Sequence, residues 1–114
     1  MTQIVTTGSW RPMPGHEADF VKAWSEFAEW ASTMPGSTTL RLGRDLSEPT
    51  RFVSYAAWRD AESVHAWKSS PQFRGAMARV AQHVDDFQAT ELDIVASASE
   101  GASAVALSSA GAVE

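Results

Sequence analysis

The 114-residue chain has no cysteine, a single tyrosine, and only nine lysines and arginines against 14 aspartates and glutamates. Without thiols there are no disulfides, no thiolate nucleophile and no thiolate metal site. A formal charge of -5 with no basic run gives a surface that repels phosphate backbones and anionic lipid, which argues against nucleic-acid and membrane partners. No stretch is long and apolar enough to cross a bilayer. Met1 to Trp10 lack the basic start and apolar run of a signal peptide, so a cytoplasmic protein is expected. A glycine-rich nucleotide loop is also missing, since Gly8 and Gly15 do not make one, and bound NAD or ATP is not implied.

What is present is apolar and aromatic: 44% hydrophobic residues, with five tryptophans and five phenylalanines. That much apolar surface collapses, and the length suits one core. Ile4 to Trp10 reads as a two-faced strand ended by Arg11-Pro12-Met13-Pro14-Gly15. From His16 to Met34 the period changes to that of a helix, with Phe20, Trp24, Phe27, Ala31 and Met34 on one stripe, and Pro35-Gly36 stops it. Thr38 to Arg44 and Arg51 to Trp58 read as a hairpin across a turn-rich loop. The second of these strands puts Phe52, Ser54, Ala56 and Trp58 on one face and Val53, Tyr55 and Ala57 on the other. Asp60 caps a short helix through Val64, His65 and Trp67. Pro71 opens a longer helix to about Asp86 with Phe73, Met77, Val80 and Val84 as its stripe, and Ala89 to Val95 is a last strand.

The order β-α-β-β-α-β, with its second helix broken, predicts an α+β ferredoxin-like domain over residues 1-95: a four-stranded antiparallel sheet with helices on one face. The other face, carrying Val53, Tyr55 and Ala57, then needs a cover, and a homodimer is the simplest one. Residues 96-114 are mostly alanine, serine and glycine and read as a flexible tail.

Pro14-Gly15-His16-Glu17 with Phe20, Met34-Pro35-Gly36-Ser37, the run Asp45 to Phe52, Trp58 to Glu62, and Ser70-Pro71-Gln72-Phe73 together resemble the antibiotic biosynthesis monooxygenase superfamily. The resemblance implies a dimeric α+β barrel with a pocket between helices and sheet in each subunit. It also implies a range of activities, among them cofactor-free oxygenation of aromatic polyketides and haem degradation. The anthrone oxygenases of the superfamily carry an Asn, a Trp and a Tyr at the positions of Ser54, Trp58 and Val64, so only the Trp is retained. The haem-degrading members carry an Asn, a Trp and an axial His where this chain has Gly8, Trp67 and Met77; Met77 lies in a core stripe, and haem degradation is disfavoured.

The working expectation is therefore a cofactor-independent monooxygenase that oxidises a hydrophobic aromatic phenol or anthrone with molecular oxygen. The alternatives are a non-catalytic small-molecule-binding or regulatory dimer, and a polyketide cyclase or isomerase on the same fold. For substrate contact the residues are Trp58, Trp67, Val64, Phe73, Met77 and Trp24, each of which is also a reasonable core residue. For catalysis they are His65 as base, with Ser54 and Arg74 as orienting donors; a surface histidine, core filling and a solvated helix face are the plain readings of the three. His83 lies off its helix stripe, and His16 reads as a surface or capping residue. No His and carboxylate share an inward helical face at i and i+4, so no metal site is expected, and the resemblance to cofactor-free oxygenases implies no other cofactor.

Overall fold

The computed structural model describes residues 3-98. Seven elements follow in order: β1 (Ile4–Pro12), α1 (Glu17–Ala31), β2 (Ser37–Arg44), β3 (Phe52–Trp58), α2 (Ala61–Ser69), α3 (Pro71–Ala81) and β4 (Val84–Asp93). They form one antiparallel sheet of order β2-β3-β1-β4, the ferredoxin-like arrangement the element order predicts. The register pairs Ile4, Thr6, Gly8 and Trp10 of β1 with Trp58, Ala56, Ser54 and Phe52 of β3, which puts these residues on the helix-covered face. Trp10, Phe52, Ala56 and Trp58 pack there with Phe20, Trp24, Phe27, Trp67 and Val80 in a single core.

Local chemistry sets the element ends. The Asp60 carboxylate accepts from the backbone N–H of Ser63 at 2.8 Å and from its hydroxyl at 2.7 Å, capping α2. Pro71 stands at the start of α3, where its missing N–H has no helical partner to lose. Gly36 has a φ of 91°, a left-handed conformation, and a Cβ there would collide with Ser63, so only glycine fits this turn against α2.

The third helix is shorter than its periodicity suggests. It ends at Ala81, and β4 starts at Val84 rather than Ala89, so Val84 and Asp86 are strand residues. The cause is tertiary: extending β4 lets it pair with the whole of β1, from Ile4↔Asp93 to Pro12↔Val84, with a register shift where Pro12 offers no N–H. In α3 the fully buried positions are Ala76 and Val80, while Phe73 and Met77 are half-buried on the cavity side. On the uncovered face Tyr55 and Leu92 are each 43% exposed, and Ala57, predicted to be open there, is instead buried beside Val5. The predicted flexible tail falls almost wholly outside the described residues; Ala96 to Ala98 belong to no helix or strand.

Candidate functional site

A cavity of about 270 Å³ lies between the helices and the sheet. All four strands and all three helices contribute to its wall, which is mainly aromatic and aliphatic: Trp10, Trp24, Phe27, Leu40, Trp67, Phe73, Met77 and Phe87. This is near the lower end of the size of small-molecule pockets, about 300–1,000 Å³. Its floor includes Gly8 of β1, where the absence of a side chain lets Trp10, Ser54 and Phe87 close in over the strand. A Cβ at that position would stand 2.7 Å from Trp10 Nε1, 2.8 Å from Ser54 Oγ and 2.9 Å from Phe87, closer than atoms of these kinds tolerate. The position at which the resemblance to haem-degrading members would place an asparagine therefore has no room for a side chain here.

Polar groups on this wall are few and placed. Trp10 Nε1 donates to Ser54 Oγ at 2.9 Å in a buried bond across the β1–β3 pair. The serine hydroxyl keeps its own proton to donate. The indole N–H of Trp67 is buried and has no acceptor among the described residues, although the ring lines the cavity. Among the described residues Lys68 is the one charged side chain on the wall, and its Nζ donates to Glu91 of β4 at 2.6 Å. Because Glu91 pairs with Thr6 in the β1–β4 ladder, this ion pair sits at the helix-side edge of the sheet and ties α2 to β4.

The sequence-derived candidates divide by position. Ser54, Trp24, Trp67, Phe73 and Met77 line the cavity. Trp58 does not: it is fully buried behind Trp67, ring centroids 4.5 Å apart and stacked, so it backs the wall without facing the space. Val64 is likewise buried in the core on the inner face of α2, away from the lining. His65 follows Val64 by one residue, about a hundred degrees around the helix, and is exposed, with its ring nearest Ser69 of the same helix at 3.5 Å. Arg74 is exposed too, in an outer groove with Ser70 and Pro71 beside α3. Neither reaches the cavity, so the proposed base and one proposed donor fall outside it.

Trp10, Phe87 and Lys68 line the cavity although the sequence reading passed over them. Trp10 stacks on Phe87, centroids 4.0 Å apart, and that contact exists only because β4 starts early enough to bring Phe87 opposite Trp10. Only the strand register carries a signal for either. Lys68 was detectable in principle, being next to Trp67 on the cavity side of a capped helix.

Electrostatics elsewhere stabilise the frame. Asp60 is held below the usual carboxylate range, first by the Ser63 hydroxyl and then by the Ser63 N–H. At the loop between β2 and β3, the Ser47 N–H and then the Arg51 guanidinium do the same for Asp45, and Arg11 does so for Glu48. None of these carboxylates lines the cavity.

A ferredoxin-like domain with an aromatic cavity between helices and sheet defines a class of fold, and the comparisons narrow it. The family model described as antibiotic biosynthesis monooxygenase matches residues 4-79, and the chain belongs to that family. Among solved structures, the chain is similar to SnoaB, a cofactor-independent oxygenase from Streptomyces nogalater, at 14% identity over 85% of this chain and 97% of that one, with a TM-score of 0.77. It is also similar to candidate antibiotic biosynthesis monooxygenases from Deinococcus radiodurans and Bordetella bronchiseptica. The first is 18% identical, covering 84% of this chain and 96% of that one at a TM-score of 0.76. The second is 19% identical, covering 84% and 100% at a TM-score of 0.74. A search of curated protein sequences gives no significant match.

Proposed function

We propose that the protein is a cofactor-independent monooxygenase that converts a methylene or phenol carbon of a flat aromatic substrate to a carbonyl with molecular oxygen, and that it works as a homodimer. The observation that supports this best is the cavity itself: an aromatic slot whose wall carries the Lys68 ammonium, the Ser54 hydroxyl held by Trp10, and the Trp67 indole N–H, which has no acceptor among the described residues. Such a wall suits an electron-rich ring that carries one or two oxygens. The deprotonated substrate gives one electron to oxygen, and the radical and superoxide recombine at carbon as a peroxide. Loss of water then leaves the carbonyl, so a CH₂ group and O₂ become C=O and H₂O.

With no imidazole or carboxylate among the described residues of the cavity wall, the protein's part in deprotonation is electrostatic. In this reading the Lys68 ammonium stabilises the phenolate or enolate as it forms, and the proton leaves to solvent. Ser54 Oγ donates to a second oxygen while Trp10 holds the hydroxyl in place. Trp67 and Phe27 flank the ring. Oxygen uptake with a panel of anthrones and polycyclic phenols tests the proposal; quenching of tryptophan fluorescence without uptake is the result expected of a binding protein, and turnover that persists without oxygen that of a cyclase or isomerase.

A further inference from the structure

Outside the cavity the fold gathers a second chemically distinctive group. His16 precedes α1, Asp19 lies in its first turn, and His83 sits between α3 and β4, 67 residues from His16. The ring nitrogens His16 Nδ1 and His83 Nδ1 are 3.2 Å apart, and one ligand atom from each of the three residues lies within 4.8 Å of the others. Although His16 occupies the cap position of α1, its side chain caps nothing. The two backbones are fixed through Met13, whose N–H donates to the His83 carbonyl at 2.9 Å and whose carbonyl accepts from the His16 N–H at 2.9 Å. His83 N–H in turn donates to Val80 at the end of α3, and the His16 carbonyl accepts from Phe20. Both rings are half-buried, while Asp19 is exposed.

We propose that His16, His83 and Asp19 form a binding site for a borderline divalent cation of the zinc type. The geometry points this way because two imidazole nitrogens bound to one tetrahedral zinc at about 2.0–2.1 Å stand about 3.3–3.4 Å apart, close to the separation observed. Two imidazoles and one carboxylate supply three protein ligands and leave a position for water, a set that suits zinc and its first-row neighbours better than magnesium or calcium. The third ligand in this site is the exposed Asp19 carboxylate, already within 4.8 Å of a nitrogen of each imidazole. None of the three residues lines the aromatic cavity, so the ion takes no part in the oxygenation chemistry. It fastens the start of α1 to the α3–β4 junction, next to the strand ends that carry Trp10 and Phe87.

Zinc titration of the untagged, chelator-treated full chain by calorimetry tests this. The expected result is one ion per chain at micromolar or tighter affinity, with a rise of a few degrees in melting temperature on zinc addition. His16→Gln and His83→Gln each weaken binding by about tenfold or more. Asp19→Asn, a surface change that leaves the core alone, weakens it by a smaller factor, and His65→Gln, at the one remaining histidine, leaves it unchanged. Cobalt(II) in place of zinc gives the visible absorption of a low-symmetry four-coordinate ion. No binding at millimolar zinc overturns the proposal and leaves a simple hydrogen-bonded histidine pair. Binding that survives both histidine variants, or is lost in His65→Gln, overturns it as well.

Discussion

At the scale of single residues, the site depends on a bond that no local pattern announces. Trp10 and Ser54 are 44 positions apart and meet only because β1 and β3 pair in the observed register, with Gly8 opposite Ser54 leaving space for both. Removing the hydroxyl strands a buried indole donor. Ser54→Ala is expected to lower unfolding stability by about 1–3 kcal/mol, measured by urea denaturation, and to weaken aromatic ligand binding at the same time. A variant with unchanged stability and unchanged ligand quenching of tryptophan fluorescence contradicts the role given to this pair. Ser54 was legible in the sequence through strand alternation, which does sort the two faces of β3. Trp10 was not, because a tryptophan at a strand end before two prolines has no partner until the sheet is assembled. His65 misled for the opposite reason: closeness in sequence to Trp67 is not closeness of side chains on a helix, where two positions apart means nearly opposite faces.

At the scale of elements, α2 carries Trp67, one of three tryptophans on the cavity wall, and Lys68, and its position rests on the Asp60 cap and the Gly36 turn. The Asp60 carboxyl titrates below its ordinary value in the folded protein, owing first to the Ser63 hydroxyl. Since the folded value lies below the unfolded one, the stabilisation is fully present above the ordinary carboxylate range and is lost as pH falls through the folded value. Asp60→Asn is therefore expected to reduce stability at neutral pH and to flatten the acid limb of the stability curve, the two proteins converging at low pH. Parallel acid slopes in urea melts of the two proteins contradict this. Element order, the helix stripes and the caps were all readable, because each depends on residues close in sequence. The α3–β4 boundary was not. Val84 fits the helical stripe well, but pairing of β4 along the full length of β1 decides its conformation.

At the scale of the whole molecule, one face of the sheet is covered by helices and the other presents Tyr55, Val53 and Leu92. Closure of that face by a second copy is part of the proposed function. Light scattering is expected to give about twice the 12.3 kDa chain mass, and Tyr55→Glu, by burying a charge in the interface, to shift the protein to the monomer. A monomeric parent protein rules the homodimer out. Family membership was anticipated by the resemblance that Pro14 to Glu17, Met34 to Ser37 and Ser70 to Phe73 help to carry, and a cavity between helices and sheet was what that resemblance implied. The chemistry was less legible, because Lys68 looks like an ordinary helix-end cation until β4 brings Glu91 to it. The central claim is that this cavity activates an aromatic substrate toward oxygen with Lys68 as its electrostatic partner. The most direct test is oxygen consumption during turnover of an anthrone by the parent protein and by Lys68→Met. The account predicts one oxygen consumed per carbonyl formed, and a rate about 10²-fold or more lower in the variant; product formed at an undiminished rate under anaerobic conditions, or a variant as fast as the parent, would contradict it.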